Sequence, residues 1–212
     1  ELAISITQEF PEHQFSWRIL GAVLMVTGRF SEAIKPNQMA VRLAPQDAAA
    51  HSNLGNTLQE LGRLEEAETS YKEAIALKPK FAEAHSNLGN ALKELGRLEE
   101  AEASYIKTIA LRPSFAQAHN NLGVTLQDLG KLDKAEASYN QAIRLKPDYA
   151  IAHRHLSAIK QFQSQDKQFL NMQEIYHDKK ITEEQRCHIN FGLAKACEDL
   201  GDFEQALAHY SE

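Results

Sequence analysis

Cysteine is almost absent from this sequence: only Cys187 and Cys197 occur in 212 residues. On one predicted helix the two side chains lie about 15 Å apart along the axis, which is too far for a disulfide between them. We interpret both as reduced packing residues. This interpretation predicts a cytoplasmic protein, because reducing compartments keep thiols unpaired.

Long apolar runs and excess positive charge are also missing. The densest apolar stretch, residues 19–26, is much shorter than the roughly 18 to 20 residues that a membrane-spanning helix requires. The formal net charge is −6, a poor electrostatic match for nucleic acid or for an anionic membrane surface. We therefore expect neither nucleic acid nor a membrane as a partner.

What the sequence does contain is a repeat of 34 residues. Prolines recur at this interval, and so do two sets of glycines. They are Pro11, Pro45, Pro79, Pro113 and Pro147; Gly28, Gly62, Gly96 and Gly130; and Gly21, Gly55, Gly89 and Gly123. A period of 34 residues is typical of repeats built from two helices.

The pattern within each repeat predicts two helices, with the apolar face of the first packed against the apolar face of the second. If proline is position 32, then positions 4, 7, 8 and 11 lie on one face of a first helix, and positions 20, 24, 27 and 28 on one face of a second. The glycine at position 8 needs a packing reason inside a helix, and the ring at position 24 (Tyr71, Tyr105 or Tyr139) supplies one. The later glycine is predicted to end the first helix in the left-handed conformation.

These residues resemble the tetratricopeptide repeat (TPR) family, whose pattern has Leu-Gly at positions 7 and 8, Ala at 20, an aromatic residue at 24 and Pro at 32. The resemblance implies an all-α fold, a right-handed α-α superhelix in which stacked repeats form a TPR solenoid. The expected organisation is the second helix of a truncated upstream repeat (1–13), four repeats (14–47, 48–81, 82–115 and 116–149, repeats 1 to 4 below), a degenerate repeat (150–186) and a partial repeat (187–212). Because the pattern is cut at both ends, we expect a fragment of a longer protein.

Two places depart from the repeat pattern. In repeat 1, Pro36 stands inside the second helix, and Asn37 replaces the aromatic residue at position 24. We expect that helix to bend and the repeat to be less regular than the next three. Near residues 178–182 the spacing indicates a three-residue insertion, and Thr182 with Gln185 predicts a capping box for the helix that follows.

The positions of the first helices that face ligands in the TPR family are rich in amides here. Amide side chains both donate and accept hydrogen bonds, so a row of them can pair with the backbone of an extended peptide. The alternative interpretation is that these amides are only solvated or structural. The predicted ligand-binding groove consists of Asn53, Asn56, Gln59, Glu83, Asn87, Asn90, Lys93, Asn120, Asn121, Gln127 and Arg154.

Three functional hypotheses follow. The leading one is a non-catalytic scaffold that holds a protein or peptide in this groove. The alternative is the substrate-recruiting or regulatory arm of a larger enzyme, because residues 152–160 and 190–201 resemble the repeat region of bacterial TPR-containing sulfotransferases, and the asparagines resemble those of the O-linked N-acetylglucosamine transferases. The third is self-association through an N-terminal apolar patch (Phe15, Ala22, Met25 and Val26).

Repeated histidines do not predict a metal site. His51, His85, His119 and His153 recur once in each repeat, so neighbouring helices would hold them roughly 10 Å apart. Zinc needs its ligands within about 2.1 Å of one centre. We predict packing roles for them, and we predict no catalytic residue, no metal and no cofactor in this chain, since it also lacks a phosphate-binding loop and a nucleophile constellation.

Overall fold

A computed structural model describes Ser5, Thr7 and residues 9–164 and 166–211, and every structural statement below concerns these residues. Of the half repeat expected at 1–13, residues 1–4, 6 and 8 therefore lie outside them. The described part of the chain contains helices and no strand. The helices are α1 (Gln14–Val26), α2 (Phe30–Leu43), α3 (Ala48–Glu60), α4 (Leu64–Leu77), α5 (Ala82–Glu94), α6 (Leu98–Leu111), α7 (Ala116–Asp128), α8 (Leu132–Leu145), α9 (Ala150–Ile159), α10 (Lys167–His177), α11 (Glu183–Leu200) and α12 (Phe203–Ser211).

The chain forms two compact units, one that ends at Pro113 and one that begins at Ser114. In the first unit the helices pair as α1 with α2, α3 with α4 and α5 with α6, and the first helices α1, α3 and α5 also contact one another in that order. In the second unit α7 pairs with α8, α9 packs on α8, α10 and α11, and α12 packs on α11. This architecture confirms the predicted all-α TPR solenoid fold.

Glycine and tyrosine interlock inside the helix pairs, as the sequence predicts. A Cβ atom on Gly55 would lie 2.6 Å from Tyr71 Cε1, and one on Gly123 would lie 2.5 Å from Tyr139 Cε1. Only glycine lets the ring approach this closely, which repays the cost of placing glycine inside a helix. The second set of glycines has positive φ angles, for example +72° at Gly62, which confirms the left-handed helix ends.

The ring at position 4 joins each repeat to the proline that precedes it. His51 Nε2 donates a hydrogen bond to the carbonyl oxygen of Pro45 at 2.9 Å, and His153 Nε2 does the same to Pro147 at 2.9 Å. In repeat 1, Trp17 Nε1 donates to the Pro11 oxygen at 2.7 Å. These contacts satisfy carbonyl groups near the junctions between repeats and give the position-4 rings the predicted structural role.

Helix α2 runs without interruption through Pro36 and has the same 14 residues as α4, α6 and α8. In helix length, repeat 1 therefore equals the others, and the expected bend at Pro36 stays a prediction. The proline ring is buried, so its packing offsets the missing backbone hydrogen bond.

The helices of the degenerate region differ in length from those of the earlier repeats. Helix α9 has 10 residues, whereas the earlier first helices have 13. Helix α11 begins at Glu183 and runs across residues 186 and 187, and the repeat boundary expected there stays a prediction. The capping box explains this start: Thr182 Oγ1 accepts a hydrogen bond from the Gln185 backbone at 3.2 Å, and Gln185 Oε1 accepts one from the Thr182 backbone at 2.9 Å. The predicted capping box is confirmed.

Candidate functional site

The predicted groove residues of the first unit lie on two neighbouring helices, α3 and α5. Asn53, Asn56 and Gln59 lie on α3, and Asn87, Asn90 and Lys93 lie on α5. All six are partly exposed. We call this surface the amide face and define it by these six residues.

The hydroxyl group of a buried tyrosine orients the amides of α3. Tyr71 Oη lies 2.9 Å from Asn56 Oδ1 and 2.9 Å from Gln59 Oε1, and it donates a bifurcated hydrogen bond to these two oxygens. The tyrosine is only 1% exposed. Burial raises the pKa of Tyr71 above its ordinary value, and the negative charges of Glu94 and Glu60 raise it further. The hydroxyl group therefore remains a donor across the physiological range.

A second hydrogen bond links the two helices of the amide face. Asn87 Nδ2 donates to Asn56 Oδ1 at 2.8 Å, so this oxygen accepts from both Asn87 and Tyr71. Among the described residues, neither Asn56 Nδ2 nor Asn87 Oδ1 has a hydrogen-bond partner. The pair therefore presents one donor group and one acceptor group on a partly exposed surface.

The remaining members of the amide face are held to different degrees. Tyr105 Oη donates to Asn90 Oδ1 at 2.7 Å, which repeats the Tyr71 arrangement one repeat later. Gln59 Nε2 donates to Glu94 Oε1 at 2.5 Å, so both ends of this side chain are engaged. Asn53 lines a small cavity beside α1.

Glu83, which the sequence places in the groove, forms an ion pair with Arg112. Burial alone would raise the pKa of Glu83, but the hydrogen bonds from Arg112 and from the Glu83 backbone, together with the positive charges of Arg112 and Lys78, outweigh burial and hold this pKa below the ordinary value. The carboxylate is thus committed to a contact within the protein. We leave Glu83 out of the amide face for this reason.

In the second unit, three of the predicted residues, Asn120, Asn121 and Gln127, lie on α7. Gln127 Oε1 accepts from Tyr139 Oη at 2.8 Å, which again joins a position-24 tyrosine to an amide. Asn120 is buried, with 3% of its surface exposed. Its Oδ1 lies 2.9 Å from His155 Nδ1, and its Nδ2 donates to Asn121 Oδ1 at 3.4 Å. Asn120 is therefore engaged in contacts within the protein, and its role in ligand binding stays a prediction.

Arg154 is exposed on α9 and covers an aromatic ring. Its guanidinium carbon lies 4.6 Å from the centre of the Phe191 ring, and its Nη1 lies 3.3 Å from His188 Nδ1. This is a cation–π contact within the second unit. Arg154 keeps its charge at the surface, where an acidic group of a ligand could meet it.

The tyrosine hydroxyl groups are the functional atoms that the sequence analysis missed. The repeat pattern assigns the position-24 ring to packing against glycine, and this assignment is right for the ring. A signal was present, however, because Tyr71 and Tyr105 each stand 15 residues after an asparagine at position 9. A phenylalanine would fill the same space without holding the amide.

Within the described ranges no group of three or more His, Cys, Asp or Glu side chains is placed to hold a metal ion. None of the described helices is both long enough and apolar enough to cross a membrane.

Models of this repeat family match three parts of the chain. A family described as TPR repeat matches residues 55–96, and two described as Tetratricopeptide repeat match residues 88–150 and 191–212. No curated protein matches the chain. The resemblance to sulfotransferases and to O-linked N-acetylglucosamine transferases finds no support in these matches.

Solved structures share the fold at low sequence identity. PilF of Pseudomonas aeruginosa is 18% identical, with 92% of this chain and 88% of that chain covered and a TM-score of 0.72. YrrB, described as a TPR protein with an unusual peptide-binding site, is 19% identical over 100% and 99% of the two chains, with a TM-score of 0.64. MamA of Desulfovibrio magneticus RS-1 is 18% identical over 93% and 91%, with a TM-score of 0.64. Residues 55–150 and 191–212 therefore match tetratricopeptide repeats, and the chain shares the fold of solved tetratricopeptide repeat structures.

Proposed function

We propose that this chain is a non-catalytic interaction protein whose amide face binds an extended segment of a partner protein. The observation that carries the proposal is the fixed orientation of Asn56 and Asn87. Their hydrogen bonds to Tyr71 and to each other leave the Asn56 amide nitrogen and the Asn87 amide oxygen without a hydrogen-bond partner among the described residues, and both side chains are partly exposed. A peptide backbone presents one N–H and one C=O for each residue, so the two surfaces are complementary.

Preorganisation makes such weak contacts useful. Free asparagine side chains lose rotamer freedom when a ligand immobilises them, at about 0.5 to 1.5 kcal/mol each. The Tyr71 and Tyr105 hydroxyl groups hold the Asn56 and Asn90 oxygens before any ligand arrives. We infer that these buried tyrosines lower the entropic cost of binding. Because the contacts are to backbone groups, the amide face accepts many peptide sequences.

The similarity to YrrB supports this proposal at the level of the fold. That protein is described as having a peptide-binding site, and its structure covers the full length of this chain. In the same way, unpaired Cys187 and Cys197 support a reducing compartment such as the cytoplasm. Burial raises the pKa of Cys197, so this thiol is suited to packing rather than to redox chemistry.

A peptide display experiment tests the function directly. Peptides selected from a random library on the wild-type chain are labelled, and their Kd values are measured by fluorescence anisotropy. The double variant Asn56→Ala, Asn87→Ala should bind them at least about tenfold more weakly, the loss of roughly 1.4 kcal/mol expected from two hydrogen bonds.

Asn140→Ala is the matched control, since Asn140 is an exposed asparagine on the second helix α8. It should leave the Kd unchanged. Circular dichroism melts show whether each variant is folded. Folded Asn56→Ala, Asn87→Ala protein that binds the selected peptides as tightly as wild type would remove the proposal.

A further inference from the structure

Repeat 1 lacks the aromatic ring that fills the other helix pairs. In repeats 2 and 3, Tyr71 and Tyr105 lie against Gly55 and Gly89. In repeat 1 the glycine is kept as Gly21, but the side chain against it is that of Asn37, whose Oδ1 would lie 2.1 Å from a Cβ atom on Gly21. An asparagine has no ring, so part of the space that a tyrosine takes in the other repeats is left over.

Asn37 is buried and incompletely satisfied. It is 1% exposed, and its Nδ2 donates to Thr57 Oγ1 at 2.7 Å. Its Oδ1 has no hydrogen-bond partner. A buried amide oxygen without a donor costs roughly 1 to 3 kcal/mol.

A cavity of about 170 Å³ lies beside this side chain. A protein cavity of about 150 Å³ can bind one benzene molecule, so this one has room for a single six-membered ring. Its walls carry apolar side chains from α1 and amides from α2 and α3, with no charged residue among them. They are formed by Ala22, Met25, Val26, Asn37, Asn53 and Asn56.

We propose that this cavity is a subsite for a tyrosine side chain of the bound partner. The proposal rests on the peptide-binding function above, because Asn53 and Asn56 belong both to the cavity and to the amide face. The partner's phenol ring takes the space that Asn37 leaves, and its hydroxyl group exchanges hydrogen bonds with the amides. The protein already makes this pairing between Tyr71 Oη and Asn56 Oδ1 and between Tyr105 Oη and Asn90 Oδ1.

Other side chains fit the cavity less well. A lysine or an arginine would be buried without a counter-charge, which is costly. A phenylalanine would fill the volume but leave the amides without a polar partner. The exposed side of the cavity is apolar as well, since Val26, which lines it, is 89% exposed, and an apolar surface there favours an aromatic anchor.

Small-molecule probes test the subsite on the whole chain. p-Cresol, which is a tyrosine side chain without its backbone, and toluene are titrated into ¹⁵N-labelled protein and followed by NMR. We expect p-cresol to shift the amide signals of Ala22, Met25, Val26, Asn53 and Asn56 and to bind several-fold more tightly than toluene. Equal binding of the two probes would overturn the assignment to tyrosine, and no shift at these residues would overturn the subsite.

Asn37→Tyr closes the cavity with a ring that belongs to the protein. Because it restores the side chain of repeats 2 to 4, it should fold and melt at least as high as wild type, and it should abolish the p-cresol shifts. Gln38→Tyr places the same side chain at the neighbouring exposed position and should leave the shifts unchanged. Persistence of the shifts in Asn37→Tyr would contradict the location of the subsite.

Selected peptides separate this inference from the proposed function. We expect them to share a tyrosine whose replacement by alanine weakens binding to wild type about tenfold or more but has little effect on the Asn37→Tyr protein. Peptides that bind through the amide face without any tyrosine preference would overturn the subsite and keep the function. p-Cresol binding without peptide binding would keep the subsite and remove the function. Sedimentation experiments could show a dimer of the chain, and if p-cresol dissociates this dimer, the cavity binds a second copy. That result would overturn the proposal that it binds a tyrosine of a partner protein.

Discussion

The Tyr105 ring lies so close to Gly89 that a Cβ atom on this glycine would be 2.8 Å from Tyr105 Cε1. Real Cβ atoms do not approach an aromatic carbon this closely. The tyrosine is fully buried, so its ring cannot move aside into solvent. The contact couples the two helices of repeat 3 through a residue that has no side chain.

Replacement of Gly89 by alanine should therefore destabilise the protein. Helix propensity alone would make alanine about 1 kcal/mol more stable than glycine inside a helix. Overpacking against Tyr105 costs about 1 to 3 kcal/mol, and Gly89→Leu should be worse. Urea unfolding measures the net effect. A Gly89→Ala protein more stable than wild type would show that the ring gives way easily.

Alkaline pH should unfold the protein through its buried tyrosines. Burial raises the pKa of Tyr71 and Tyr139 above the ordinary value of 10.0. Above pH 10 the unfolded chain releases these protons while the folded chain retains them, so the stability that is complete below pH 10 falls as pH rises. The loss should reach about 1.4 kcal/mol for each tyrosine near pH 11.

The double variant Tyr71→Phe, Tyr139→Phe isolates this effect. Thermal melts between pH 8 and pH 11 should show a smaller decline in its melting temperature than in that of wild type. Parallel declines in the two proteins would show that other groups cause the alkaline sensitivity.

Glu68 should make the first unit sensitive to acid. Burial alone would raise the pKa of Glu68, but hydrogen bonds from Lys72 and Arg97 outweigh it and lower this pKa below the ordinary value of 4.5. Both partners lie 2.7 Å from the carboxylate. The stabilisation is complete above pH 4.5 and is lost as pH falls through the lower folded-state pKa, because the unfolded chain takes up the proton first.

Glu68→Gln should lower the free energy of unfolding at pH 7 by up to about 1 kcal/mol and flatten its dependence on pH below 4.5. Glu65→Gln, an exposed change on the same helix α4, is the control. Urea unfolding at pH 7, 5 and 3.5 compares the three proteins. The same acid response in Glu68→Gln and in wild type would exclude the Lys72 and Arg97 network as its source.

The capping box at Thr182 should determine where α11 begins. Thr182→Ala removes the side-chain acceptor for the Gln185 backbone N–H and should cost about 1 kcal/mol. Thr182→Ser keeps the hydroxyl group and should restore most of the stability. Hydrogen exchange at the first turn of α11 offers a local measurement. Unchanged exchange in the alanine variant would mean that packing of α11 alone holds this end.

Much of the fold could be predicted from the sequence because its signals are local and repeated. The interval between Gly55 and Gly89 equals that between Tyr71 and Tyr105, so each assignment is checked by the next repeat. Helix bounds, left-handed glycines and the capping box follow from contacts between residues close in the chain. The continuity of α2 through the buried Pro36 does not follow from the sequence, because the packing of the proline ring depends on the tertiary structure.

The candidate site was predicted less completely. The sequence predicted that the amides lie on the first helices, but it did not predict which of these side chains are buried or bonded within the protein. Asn120 is buried on His155, and Glu83 pairs with Arg112, although both occupy positions that the family pattern assigns to ligands. Their partners stand 35 and 29 residues away, so helical periodicity says nothing about these contacts.

Paired helices stacked in repeats follow from the sequence, because glycines, aromatic residues and prolines recur together at intervals of 34 residues. Which amides are held by other side chains follows only from the packed structure. A hydrogen bond depends on atoms brought within about 3 Å, and the Tyr71 hydroxyl group reaches Asn56 only after the two helices have packed. The cavity beside Asn37 likewise exists only between packed helices, because an empty volume belongs to no single residue.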